Sequence, residues 1–138
     1  MAEIKLRGRT IPLIYTVCEM KQAQDEICRM EKLQYLLFGQ NDEGKYDEKI
    51  YGSPEHLDAL AKLIRIMGNA GLEEAGEKPD LTDKKIMRAI RPAELLGAIQ
   101  ACSAALAEGM ASEYKEEEPE GPVDVTLEDM KKKKEKED

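Results

Sequence analysis

Apolar and polar positions first alternate along this chain, then settle into a helical period. Ile4 and Leu6 alternate with Lys5 and Arg7, and Ile11, Leu13 and Tyr15 follow across a glycine. A period of two around a short polar break predicts a β-hairpin. Gly8-Arg9 as a two-residue loop with glycine first predicts a type II′ turn. Pro12 has no N–H to donate, so the second strand is expected at a sheet edge. A lone hairpin is marginal in water and must lie on helices or pair with a second copy.

From residue 16 onward the period lengthens. Thr16-Val17-Cys18-Glu19 is a capping box. Met20, Ala23, Ile27, Met30, Leu33 and Leu37 recur at three- and four-residue steps, which predicts one helix from Thr16 to about Phe38, stopped by Gly39. Tyr35 and Leu36 fall off that stripe, because successive residues turn about 100° around the axis. Either the polar loop 39–52 folds back over them, or they meet another subunit or partner. Ser53-Pro54-Glu55 opens a second helix with Leu57, Leu60, Ala61, Ile64 and Met67 inward. Gly68, Gly71 and Gly76 either fragment that helix or admit another backbone. His56, in its first turn, is expected to face solvent. Thr82-Asp83 starts a short helix carrying Ile86, Met87 and Ile90. Arg91-Pro92 breaks it, and a last helix follows in which Leu95, Ile99, Cys102, Leu106 and Met110 recur at three- and four-residue steps.

The predicted fold class is therefore mainly α: about four helices with a short N-terminal β-hairpin. Charge divides the chain. Residues 1–112 hold 18 acidic and 15 basic residues, and residues 113–138 hold 11 and 6. The larger apolar residues from 113 on are Tyr114, Val123, Val125, Leu127 and Met130, too few to offset the entropy of ordering such a segment. The expected organisation is one domain over 1–115 and a disordered acidic and lysine-rich tail over 116–138, with Thr126-x-x-Asp129 able to cap a helix formed on a partner.

A net charge of -8 argues against a nucleic-acid partner. No apolar run approaches the ~20 residues of a membrane span. The first ten residues have no apolar core of a secretory signal. Cys18, Cys28 and Cys102 form no C-x-x-C pair, so three packed thiols in a reducing compartment are expected, and no metal site. Asp42, Asp47 and Glu48 lack the spacing of a calcium loop. With no nucleotide, zinc-protease or nucleophile-elbow motif and one histidine, no catalytic residue and no cofactor is assigned, and an enzyme is not expected. The candidate surface for a partner or for self-association is Ile11, Leu13, Tyr15, Tyr35, Leu36 and Phe38.

The order of these segments resembles the small tail assembly chaperones of long-tailed phages and prophages. The likeness runs over about residues 3–112: the hairpin Ile4–Tyr15 leading into a helix, the string Leu60-Ala-Lys-Leu-Ile-Arg-Ile-Met-Gly-Asn-Ala-Gly-Leu72, Gly76-Glu-Lys-Pro79, Leu81-Thr82, and Arg91-Pro92-Ala93-Glu94 opening the last helix. The resemblance implies a non-enzymatic helical protein of the host cytoplasm. Such a protein binds the tape-measure protein, prevents its aggregation, recruits tail-tube subunits and is absent from the mature virion. It also implies a longer frameshifted product; Lys131–Lys134 is either its slippery site or simply a soluble charged end, the second being the plainer reading. The competing reading is an acidic regulatory module that masks a protein partner.

Overall fold

The computed structural model of the chain describes residues 1–111. The predicted tail at 116–138, with its lysine run, lies outside the described residues. The described part is mainly helical with a two-stranded antiparallel hairpin. Strands β1 (Glu3–Leu6) and β2 (Arg9–Pro12) lead into α1 (Val17–Glu26), α2 (Met30–Leu37), α3 (Pro54–Glu74) and α4 (Asp83–Ala89). A 3₁₀ turn at Pro92–Glu94 then opens α5 (Leu95–Met110). The long α3 is the centre: β2, α1, α2, α4 and α5 all pack on it.

The turn of the hairpin differs from expectation. Ile4 pairs with Ile11 and Leu6 with Arg9, so the loop is Arg7-Gly8, not Gly8-Arg9. Arg7 and Gly8 have φ of 52° and 81°. Two left-handed residues make a type I′ turn, whose twist matches that of the flanking strands. The pattern cannot choose between these loops. In either one Ile4, Leu6 and Ile11 stay on the same face.

The capping box at Thr16 forms. Glu19 Oε1 accepts from the Thr16 N–H at 2.8 Å and also from its hydroxyl. The single helix predicted from Thr16 to Phe38 is in fact two. It breaks at Ile27-Cys28-Arg29, where the Arg29 backbone is extended and Gln24 Oε1 accepts from the Met30 N–H at 3.2 Å. No proline or glycine marks the break. Ile27 and Cys28 are middling helix formers, and the break lets α2 reach both α3 and α5. The apolar stripe survives the bend, with Ala23, Leu33 and Leu37 buried and Met20 and Ile27 half-buried against the core.

Ser53 and Thr82 cap α3 and α4 by accepting from the His56 and Lys85 N–H groups, each at 3.2 Å. The glycines do not fragment α3. They flatten one side of it for the chain leaving β2. The Ile14 N–H reaches the Met67 carbonyl at 3.2 Å, and a Cβ on Gly71 would sit 1.8 Å from the Pro12 carbonyl oxygen. Asn69 fastens the following loop by exchanging two hydrogen bonds with the Leu81 backbone, at 3.0 and 3.2 Å.

Candidate functional site

Three of the six predicted surface residues are core. Ile11, Leu13 and Tyr15 are 0, 1 and 5 % exposed, so the hairpin presents no apolar face to a partner. The reason is the glycine side of α3 below it and Gly109 of α5, where a Cβ would stand 2.2 Å from the Tyr15 carbonyl oxygen. Tyr35 and Leu36 are half-buried. The 39–52 loop folds back on them, with Gly44 against the Tyr35 ring. Phe38 alone of the six is open, at 39 % exposure.

Phe38 belongs to a groove of about 350 Å³ between α2 and α5, where Met30, Leu37, Leu106 and Met110 join it. Met110 is exposed, and the Tyr15 hydroxyl is buried in the groove wall with no hydrogen-bond partner. Burial pushes the Tyr15 phenol pKa up. A buried hydroxyl without a partner is costly. Methionines and an aromatic ring on two helices make an adaptable apolar seat. The sequence signal was Phe38, just past the Leu37 end of the first apolar stripe, together with Met110 at the end of the last one.

A second apolar groove, of about 530 Å³, lies between the start of α3, α4 and the start of α5. Sequence reasoning missed it by placing Leu57 inward and giving Met87 no particular face, whereas they are 38 and 44 % exposed. A third groove, beside the 39–52 loop, mixes apolar residues such as Ile27, Leu36 and Ile50 with the charged Glu26, Lys32, Asp42, Asp58 and Lys62.

Charges near that third groove are mutually neutralised. Arg65 donates from Nε to Asp83 at 2.7 Å and from Nη2 to Glu26, and Lys62 Nζ lies 3.1 Å from Asp58 and 3.4 Å from Asp83. The Arg65 hydrogen bond holds the Glu26 carboxyl below its ordinary pKa. Desolvation works the other way at Asp83, but Arg65 and Lys62 outweigh it and that pKa is also lowered. Both carboxylates bind protons less readily folded than unfolded. Their stabilisation is therefore present above the unfolded values near pH 4 and fades as pH falls through the folded ones. Arg65→Gln is expected to lower the urea midpoint at pH 7 and to lower it much less at pH 3.

His56 is not solvent-facing as expected but fully buried. Its Nδ1 accepts from the Gly52 N–H at 2.9 Å, so Nε2 carries the proton and donates to the Leu37 carbonyl at 2.9 Å. Tyr51 packs on the ring with centroids 5.3 Å apart. The residue ties the end of α2 to the start of α3. The cysteines are all free: Cys18 exposed, Cys28 half-buried, Cys102 buried. Burial pushes the Cys102 thiol up to about 12. A thiol reagent is therefore expected to modify Cys18 first and Cys102 only on unfolding, as mass spectrometry of partly labelled protein would record. Among the described residues no His, Cys, Asp and Glu side chains cluster as a metal site, and no helix is long and apolar enough to cross a membrane.

Comparison with protein-family models, with curated proteins and with solved structures finds no match.

Proposed function

We propose that this protein is a tail assembly chaperone of a long-tailed phage or prophage. It acts in the host cytoplasm, binds the tape-measure protein and tail-tube subunits, and leaves before the virion is complete. It performs no chemistry of its own. The observation that carries the reading is the α2–α5 groove, where exposed Phe38 and Met110 flank an apolar floor. A tape-measure protein is long and helical, and a helix laid in such a groove buries its apolar stripe by helix-in-groove recognition. The order of hairpin, helices and connecting strings over residues 3–112 supports the same assignment.

The test is co-expression with the tape-measure and tube proteins encoded beside the gene, followed by pull-down. Retention of the tape-measure protein by the natural chain, and its loss with Phe38→Glu, is the expected result. Equal retention by the two forms, or none by either, would reject the reading. Phe38 is open to solvent, so this variant should melt within a few degrees of the parent.

A further inference from the structure

The groove between α3, α4 and α5 has an uneven rim. Its apolar lining comes from Leu57 at the start of α3, Met87 on α4, Ile90 after it and Leu95 at the start of α5. Arg91 lines it too, and Lys84 and Arg88 stand three residues before and one after Met87, a turn apart on the outer side of α4. Among the described residues none of these three cations has a carboxylate within 4.0 Å. Arg7 joins them, donating from Nη2 to the Arg88 carbonyl at 3.3 Å. Two nearby acids are paired elsewhere, Asp83 with Arg65 and Lys62 and Asp58 with Lys62, whereas Glu94 accepts from the Arg91 N–H at 2.8 Å and keeps its charge beside that residue, so Lys84 and Arg88 are the stronger part of the rim. In a chain of net charge -8, this is an apolar trough edged by positive charge that no described acidic side chain pairs.

We propose that this groove docks an acidic amphipathic helix of a partner protein, with its apolar face on Leu57, Met87, Ile90 and Leu95 and its carboxylates over Lys84, Arg88 and Arg91. Apolar anchors at i, i+3 and i+7 span about 10 Å of helix and suit a trough of this size. The cations select the charge of the flanks. A second copy seated by two-fold symmetry would bring the same cations face to face, which disfavours self-pairing here. The proposal does not depend on the tail-assembly reading, which rests on the other groove.

The probe is a fluorescein-labelled helical peptide with leucines at i, i+3 and i+7 and glutamates on its flanks, titrated against the full chain by anisotropy. Its twin carries lysines in place of the glutamates. The glutamate peptide is expected to bind at least about tenfold tighter than its twin, a factor of ten being about 1.4 kcal/mol, and to weaken as salt rises. Met87→Glu should abolish binding, Phe38→Glu should leave it unchanged, and Arg88→Glu with Arg91→Glu should reverse the preference. Equal binding of the two peptides, or loss with Phe38→Glu instead of Met87→Glu, overturns the proposal. So does an about tenfold gain in affinity on Leu127→Asp, which would make the chain's own acidic end the occupant. A dimer in sedimentation that Met87→Glu splits would overturn it in favour of a second copy. Should Met87→Glu lower the melting temperature, the arginine pair still decides.

Discussion

Gly71→Ala is expected to cost about 3 kcal/mol or more, read as a fall in the urea midpoint with little change in slope. Alanine is ordinarily the better helix former by about 1 kcal/mol, so propensity alone predicts a gain. Sterics decide the sign. The new methyl would lie 1.8 Å from the Pro12 oxygen and 2.6 Å from its carbonyl carbon. These are backbone atoms, with no rotamer to move aside, so the cost falls at or above the ~1–3 kcal/mol usual for overpacking. Gly97→Ala on α5 is the matched control, because nothing lies within 4 Å of where its methyl would stand. It should stabilise by up to about 1 kcal/mol. A neutral Gly71→Ala would mean that the hairpin does not rest on this side of α3.

His56→Leu is expected to destabilise by up to about 3 kcal/mol, although leucine is close in size and more apolar. The substitution strands the buried Leu37 carbonyl, a loss of about 1–3 kcal/mol, and takes the partner from the Gly52 N–H in the exposed turn before α3. Thermal or urea unfolding followed by circular dichroism would measure it. The same substitution at the nearby exposed Asp58 would lose only a surface ion pair with Lys62, worth at most about 1 kcal/mol. A loss at His56 no larger than that would remove its role as the tie between α2 and α3.

Local signals carried most of the fold. The capping box at Thr16, the Ser53-Pro54 start, the Thr82 cap and the Arg91-Pro92 break are each decided within a few residues, and each stands where the sequence places it. The Ile27–Arg29 bend was hidden because the apolar spacing runs through it unbroken. The pairing of α2 with both α3 and α5, which demands the bend, is a tertiary fact. Burial of Ile11, Leu13 and Tyr15 was equally out of reach. Alternation told which side of the hairpin is apolar, but what covers it depends on Gly68, Gly71 and Gly109, far along the chain. His56 misled for a related reason. Its place in a first turn suggests water, yet the backbone groups that receive both ring nitrogens come from the preceding loop and from α2.

The candidate surface was legible only in Phe38. Residues that end an apolar stripe, such as Phe38 and Met110, or that sit where two helices diverge, such as Leu57 and Met87, carry the same apolar label as core positions. Periodicity assigns a face to each helix. It does not say where the neighbouring helix stops covering that face.

The first residues of the chain are held by its last helix. The Ala2 N–H donates to Glu108 at 3.0 Å, and the Leu13 N–H returns to the Ala2 carbonyl at 2.9 Å. During synthesis β1 leaves the ribosome before α5, so its seat there is not made until the sixteen residues of that helix have followed. A strand made before all five described helices therefore completes its packing only with the last of them. Slow codons or a pause ahead of α5 would lengthen the time that Ile4 and Leu6 on β1 spend open to other nascent chains.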